Sequence, residues 1–471
     1  MKHIKLGLWG FLLGTTALWL LADTLWPQPF HYFSFRSVFV QYSGVLCIGA
    51  MSLCMLLAVR PVWLENWLNG LDKGYRLHKW LGITALVTAL AHFWFAKGTK
   101  WMVGWGWLTR PARPGRPPGG TAANSAQTLE QWLRGLRDAA ESIGEWAFYI
   151  ALVLMVVSLV KRIPYRWFVK YHKWLAVGYL ALVFHSVVLM KFAYWQQPIG
   201  WFMAVLMAAG SISAVLILLK RTGIARRSTA TVASITSYPQ MDGCELVLHA
   251  PAWGGHQAGQ FAFVRSQKDK ESPHPFTIAS AWNQHSQQLR LLVKNLGDYT
   301  RQLAAHYQTG DMVEIEGPYG RFTFADDAPA QIWIAAGIGI TPFMARLEEL
   351  ARTRQQGQSH GQQANQQTTP KTAPQIQPQT IDLFYCYREM EQELLTQLQH
   401  HAQAGGVTLH LWPTKTACRL TGEHVRTQVA NWKQASVWFC GSTAFGAAIQ
   451  RDLLAHGLPG NRFHQELFEM R

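Results

Sequence analysis

Apolar residues are distributed unevenly along this chain. The first 220 positions hold six long apolar runs, near 6–25, 37–59, 77–96, 145–160, 169–190 and 198–219. Most approach the ~20 residues a helix needs to cross ~30 Å of hydrocarbon. The fourth run is the shortest, and its start extends back toward Ile143. Beyond residue 228 the pattern changes to short alternating runs separated by turn residues. STATVASIT, CELVLHA, GQFAFVRS, HPFTIAS, QLRLLVKN and DMVEIEG read as the strands of a small β-barrel. Farther on, QIWIAAG, IDLFYCYR, VTLHLWP, SVWFCGS and RFHQELF read as strands alternating with helices, the order of a parallel sheet. A Gln-rich stretch at about 355–380 lacks apolar periodicity and is expected to be a solvated, disordered insertion. The fold class is multi-domain: a six-helix transmembrane bundle (1–222), a small β-barrel domain (228–327) and an α/β domain (328–471) with the Gln-rich insertion.

Composition agrees with this division. Of 471 residues, 49% are hydrophobic and only 15% charged, against roughly 25% charged in ordinary soluble domains. Mean hydropathy is nevertheless close to zero, as expected when a strongly apolar part is joined to an ordinary one. The net charge of +16 comes without any DNA- or RNA-binding motif, and much of it flanks the apolar runs, so nucleic acid is not the expected partner. Lys2 and Lys5, then Arg60, Lys73, Arg76 and Lys79, fall on one side of the predicted spans. Lys161, Arg162, Arg166, Lys170 and Lys173, then Lys220, Arg221, Arg226 and Arg227, fall on the same side, which the positive-inside rule makes cytoplasmic. The first run is read as a span and not a secretory signal, because it is long and lacks a cleavage pattern. The loop at about 97–144 runs against the rule: it is placed outside yet carries seven Lys/Arg. Its Trp101, Trp105 and Trp107 suit a membrane interface. Six cysteines form no CxxC pair or metal-like cluster, and no disulfide framework is expected.

Four histidines lie in or at the ends of two apolar runs: His78 and His92 in the third, His172 and His185 in the fifth. Ionisable residues at such depth are costly and rarely idle. Spacings of 14 and 13 residues separate each pair by roughly 20 Å along a helix. With both spans running outward, His78 and His172 share the cytoplasmic level and His92 and His185 the external one. Each level then offers two imidazoles for bis-axial haem ligation, with no open iron position. The 14-residue spacing returns to within about 40° of one face, but 13 residues miss by about 140°. Span five must therefore overwind, tilt or end near His172. The competing reading is four helix-boundary histidines that hold no metal.

Together these patterns, LDKGYRLHKWLG with His92 beyond it and YHKWLAVGYLALVFHS, resemble the ferric reductase-like transmembrane domain shared by NADPH oxidases and ferric-chelate reductases. The resemblance implies two b-type haems. Arg76 and Lys79 are candidates for pairing with haem propionates, or else serve as orientation charge.

HPFTIAS at 274–280 resembles the flavin signature of the ferredoxin–NADP reductase superfamily, with His274, Pro275, Phe276 and Thr277 beside an FAD. In VKNLGDYT, Gly297 and Thr300 open a predicted helix whose N–H groups and dipole suit the FAD pyrophosphate. In IWIAAGIGITPFM, a buried strand runs into Gly337 and Gly339, followed by Thr341 and Pro342 at a helix start. Glycines admit dinucleotide phosphates to the backbone, and Pro in the first turn costs no hydrogen bond. Arg388 is a candidate for a 2′-phosphate, favouring NADPH over NADH. Cys440 and Gly441 resemble the segment where this superfamily presents a cysteine to the nicotinamide. The resemblance also places a near-terminal aromatic over the flavin: Phe468, with Glu466 behind it.

As a whole, the sequence implies an oxidoreductase passing electrons from cytoplasmic NAD(P)H through FAD and two haems to an external acceptor. Cys440, Phe468 and Thr277 are its candidate catalytic residues. Dioxygen and ferric chelates are both consistent acceptors, although Ala96 stands where oxidases often carry a further histidine. A haem-bearing relay subunit serving an unknown protein partner, and a simple membrane anchor, are the alternatives. The expected location is an integral membrane protein of a bacterial inner membrane, in contact with lipid, its FAD and nucleotide domains cytoplasmic.

Overall fold

A computed structural model describes residues 2–109, 128–160, 162–163, 165–268, 273–364 and 379–466. The chain divides into two compact units, Met1–Gly223 and Ile224–Glu469.

In the first unit, chain order is α1 (Lys2–Leu20), α2 (Tyr32–Ala58), α3 (Val62–Leu68), α4 (Leu71–Phe93), α5 (Thr99–Gly104), α6 (Leu129–Gly135), α7 (Arg137–Leu159), α8 (Tyr165–His172), α9 (Leu175–Leu189) and α10 (Pro198–Leu218). Among the described residues, five helical stretches are long and apolar enough to cross a membrane, not the six expected: Tyr32–Ala58, Leu71–Gly104, Arg137–Leu159, Trp167–Leu189 and Pro198–Leu218. The first expected span is α1, which ends at Leu20 and begins with Lys2, His3 and Lys5. Those polar residues dilute its 19-residue apolar run. It still packs into the bundle core through Ile4, Phe11 and the fully buried Trp19. Leu13, Val87, Val153 and Val205 instead point outward and are exposed, as lipid-facing side chains are.

Span boundaries shift in three places. The third span starts earlier, at Leu71, and continues past Phe93 through a π-helical turn, Trp94–Gly98, into α5. Span four begins at Arg137, so the short apolar run is the inner part of a 23-residue helix. Span five is interrupted directly after His172, where α8 ends and α9 begins three residues later. Across this break Trp174, Ala176 and Val177 donate to carbonyls three residues back, the tighter winding of a 3₁₀ turn.

The second unit holds both sheets. Its strands are β1 (Arg227–Tyr238), β2 (Gly243–His249), β3 (Phe261–Ser266), β4 (His274–Thr277), β5 (Gln288–Lys294), β6 (Met312–Tyr319), β7 (Ala330–Ala336), β8 (Thr380–Tyr387), β9 (Thr408–Pro413), β10 (Ser436–Cys440) and β11 (Phe463–Gln465). Its helices are α11 (Asp298–His306), α12 (Thr341–Ala364), α13 (Gln392–Ala404), α14 (Gly422–Gln428) and α15 (Thr443–Ala455). Strands β4-β3-β6-β1-β2-β5 form an antiparallel sheet. Its two edges meet at the Ile278–Leu291 bridge, just past β4. Strands β11-β10-β7-β8-β9 form a parallel sheet. All eleven strand segments read from the alternation are present. The Gln-rich stretch differs from expectation, because α12 continues through its first part to Ala364; residues 365–378 lie outside the described part.

The two sheets are joined by an ion network. Glu348 on α12 accepts from Arg290 of β5 at 2.9 Å and from the Ala281 amide at 3.2 Å, and it pairs with Arg352. Arg352 in turn donates to the Trp282 carbonyl at 3.2 Å.

Candidate functional site

The four span histidines come together as two pairs. The rings of His78 and His172 lie 5.9 Å apart between centroids, and those of His92 and His185 lie 6.3 Å apart. This pairing requires α4 and α9 to run in the same direction. The expected 140° mismatch in span five is removed by the break after His172, which uncouples the phase of that residue from His185.

Each ring is oriented through Nδ1. His78 donates to the Cys54 carbonyl at 3.1 Å, His92 to the Val40 carbonyl at 2.9 Å and His185 to the Ala140 carbonyl at 2.8 Å. His172 Nδ1 lies 2.8 Å from the Ser158 hydroxyl. A carbonyl can only accept, so these rings carry their hydrogen on Nδ1 and present the Nε2 lone pair. The seam between α2 and α4 is regular: Val40 meets His92, Cys47 Sγ reaches the Ala85 carbonyl at 3.5 Å, and Cys54 meets His78. Successive contacts are seven residues, or about two turns, apart on both helices. Small residues leave room for the rings: a Cβ on Gly44 would lie 3.3 Å from the His92 ring, and one on Gly144 would lie 2.0 Å from His185 Nδ1.

Haem fits these pairs. Two metal–imidazole bonds of about 2.0–2.1 Å, plus about 1.1 Å from each nitrogen to its ring centre, would give about 6.2–6.4 Å between centroids. Both observed separations are within a few tenths of this range. Among the described residues no group of three or more His, Cys, Asp or Glu is placed to cage a metal. Two axial imidazoles are what a macrocycle-bound iron needs. Near the first pair, Arg76 is half-buried and Lys79 exposed. Trp101, Trp105 and Trp107 are all exposed.

In the second unit, two motifs read separately in sequence form one site. The His274 ring stacks on Tyr299 at 3.7 Å between centroids and 12° between planes. That contact brings β4, with Pro275, Phe276 and Thr277, against the first turn of α11. There Thr300 Oγ1 accepts from the Gly297 and Leu296 amides, both at 3.0 Å. Tyr299 sits within a motif recognised from sequence, but its stacking role carried no signal of its own.

Gly337, Gly339, Thr341, Pro342, Cys440 and Gly441 gather at the C-terminal edge of the parallel sheet. Strand order places β8 on one side of β7 and β10 on the other. The turns after β7 and β10 therefore flank the topological switch point, where open α/β sheets bind ligands. Gly337 has φ +55°, and a Cβ on Gly339 would lie 2.3 Å from the Cys440 carbonyl oxygen. Cys440 is fully buried; burial, reinforced by Glu466, pushes its thiol well above the ordinary range, so it is a neutral S–H. Glu466 is buried, and its Oε1 would lie 3.3 Å from a Cβ on Gly320, beside the Phe261 ring. Phe261 pairs in register with Thr277, which links the flavin-type strand to the end of β11. Arg388 is exposed immediately after β8. Phe468 lies outside the described residues.

Comparison with known proteins matches both units. Residues 43–183 match the ferric reductase like transmembrane component, a stretch that includes His78, His92 and His172. Residues 230–323 match an FAD-binding domain. Both matches agree with a transmembrane domain followed by an FAD-binding domain. The chain is similar to the ferric reductase-like oxidoreductases in its membrane part, and an FAD-binding match follows it. Ferric reduction oxidase 7, chloroplastic, of Arabidopsis thaliana is 25% identical over 351 residues, covering 69% of this chain and 42% of that protein. A flavohemoprotein of Vibrio cholerae is 21% identical over 263 residues, covering 53% of this chain and 59% of that protein. The chain thus spans about half the length of these relatives. Among solved structures, the flavohem-like FAD/NAD binding domain of nitric oxide dioxygenase from Vibrio cholerae covers 51% of this chain at 19% identity and a TM-score of 0.41.

Proposed function

We propose that this chain is a six-span ferric reductase, α1 supplying the sixth span, that moves electrons from NAD(P)H on the cytoplasmic side to a ferric chelate on the other. The observation that carries this reading is the pairing of His78 with His172 and of His92 with His185, all four rings anchored at Nδ1. His78 and His172 would hold one b-type haem and His92 and His185 the other. Bound to the second unit, FAD would supply two-electron hydride chemistry and single-electron release, and the haems would supply one-electron carriers.

The chain's own residues bind and orient. In this reading Thr277 and the neutral Cys440 thiol would flank the meeting point of nicotinamide and flavin, and the family resemblance gives Phe468 the part of covering the flavin until nicotinamide arrives. Gly297, Thr300 and the start of α11 suit the FAD pyrophosphate, and His274, stacked on Tyr299, stands beside it. Gly337, Gly339, Thr341, Pro342 and Gly441 would admit the NAD(P) phosphates, and Arg388, exposed after β8, would recognise a 2′-phosphate. Ferric reduction oxidases among the relatives and Ala96 beyond His92 favour a ferric chelate over dioxygen. The relatives come from plants and bacteria, and the reading extends to an integral membrane protein without naming an organelle or envelope.

NADPH oxidation by the detergent-solubilised protein, with oxygen removed, tests the acceptor. Turnover that requires added ferric citrate is the expected result. Loss of all turnover without oxygen, with superoxide formed when it is present, would replace the ferric reductase by an oxidase.

A further inference from the structure

The four histidines are not held alike. Three donate to main-chain carbonyls, of Cys54, Val40 and Ala140, which no substitution removes. His92 Nδ1 also lies 3.4 Å from the Ser43 hydroxyl, but at His172 a side chain, Ser158, the penultimate residue of α7, takes the place of the carbonyl. The Ser158 hydroxyl has a single hydrogen, and it donates that to the Leu154 carbonyl one turn back at 2.7 Å. Toward His172 it can then only accept, at 2.8 Å. The imidazole hydrogen is thereby fixed on Nδ1, so Nε2 keeps its lone pair in a ring 5.9 Å from that of His78. The need for such a partner is local. His172 is the last residue of α8, where Phe168 packs on its ring at 4.9 Å, and the chain breaks into 3₁₀-type turns immediately after it, so Ser158 is the polar group that decides which ring nitrogen carries the hydrogen.

We infer that Ser158 is a positioning residue for the His78–His172 pair, relaying the Leu154 carbonyl to His172 and setting the electron-donating strength of that imidazole. An Nδ1–H that is hydrogen-bonded makes Nε2 more basic. A more basic axial ligand favours ferric over ferrous iron. Losing the acceptor therefore raises the reduction potential at this level and leaves the His92–His185 level unchanged. This inference rests on the haem reading above.

The test is a spectroelectrochemical titration of the solubilised holoprotein, comparing wild type with Ser158→Ala, Ser158→Thr and Ser158→Val. Thr keeps the hydroxyl and Val is its isosteric mimic without one, so that pair separates hydrogen bonding from packing. Ser158→Ala and Ser158→Val are expected to shift the one-electron equilibrium of one haem about tenfold toward the reduced form, or about 59 mV. Ser158→Thr is expected to stay near wild type, and the second haem to keep its potential in all four proteins. If Ala and Val lose one haem altogether while Thr retains both, positioning is equally supported. Equal behaviour of Thr and Val, or an unmoved potential in Ala, would overturn the inference. Absence of any bis-imidazole spectrum in the wild type would instead overturn the haem reading on which it rests.

Discussion

Gly144 on α7 stands so close to His185 on α9 that a Cβ in place of its hydrogen would lie 2.0 Å from Nδ1. One turn earlier on the same helix, the Ala140 carbonyl accepts from that Nδ1 at 2.8 Å. The ring is thus held by one residue of α7 and accommodated by another. It cannot retreat from Gly144 without losing Ala140.

Gly144→Ala is therefore expected to displace His185 and empty the His92–His185 level. Overpacking of this kind costs typically 1–3 kcal/mol, enough to compete with ligand positioning and short of what unfolds a large bundle. The haem-to-protein ratio by pyridine haemochrome should fall to about half. Gly178→Ala on α9, where nothing lies within 4 Å of the added carbon, should leave the ratio intact. A Gly144→Ala protein with full haem content would show that His185 is not a ligand in this position.

Gly339 makes a comparable prediction at the nucleotide edge. Its absent Cβ would meet the Cys440 carbonyl at 2.3 Å and the Gly441 amide nitrogen at 3.1 Å, so Gly339→Ala must push the β7 and β10 turns apart. NADPH-dependent reduction of the flavin should slow at least tenfold, about 1.4 kcal/mol, while flavin content stays normal because β4 and α11 are untouched. Gly337 has open space but φ +55°. Asn tolerates that conformation better than β-branched residues, so Gly337→Asn should outperform Gly337→Val in stopped-flow flavin reduction.

Arg388 is exposed just past β8, one strand from the Gly337–Gly339 turn. If it takes the 2′-phosphate, Arg388→Ala removes a charge-assisted hydrogen bond worth about 1.5–3 kcal/mol. KM for NADPH should rise about 10- to 100-fold with KM for NADH unchanged. Equal effects on both nucleotides would assign Arg388 to the shared part of the cofactor or to none of it.

How much of this was legible beforehand depends on the kind of residue. His78, His92, His172 and His185 were readable because a histidine at that depth in an apolar run is rare and their spacing repeats. The eleven strands were readable because alternation is a strong signal when one face is buried. The groups that orient the histidines were not. The Val40, Cys54 and Ala140 carbonyls belong to the main chain, and no side-chain pattern marks them. Ser158 is one serine at the end of a span, and only its distance to His172 gives it a role. The break after His172 was visible as a misfit, a 13-residue spacing that an unbroken helix could not satisfy, although its form was not. Helicity from 355 to Ala364 was missed because polar glutamines carry no apolar periodicity yet are good helix formers. The count of six spans rested on treating Lys2–Leu20 as equal to the others, and its first residues dilute its apolar character.

His256 supplies a pH dependence in the soluble unit. Its Nδ1 accepts from Trp253 Nε1 at 3.3 Å, its Nε2 donates to the Ser280 carbonyl at 2.8 Å, and Trp282 packs against it edge-on. Both nitrogens are thus used by the neutral ring. Burial lowers its pKa, opposed by the Ser280 carbonyl and by Glu348 and Glu349. In the unfolded chain the value is near 6.5. Its contribution is therefore fully present above pH 6.5 and is lost as pH falls toward the lowered folded value, because the unfolded chain binds the proton first. Each unit of lowering is worth about 1.4 kcal/mol. The temperature of flavin release should be flat from pH 8 to 7 and fall below 6.5. His256→Gln, which can accept from Trp253 and donate to Ser280 without titrating, should reduce that acid slope while keeping flavin bound at pH 8. An unchanged slope in His256→Gln would assign the acid sensitivity to another group.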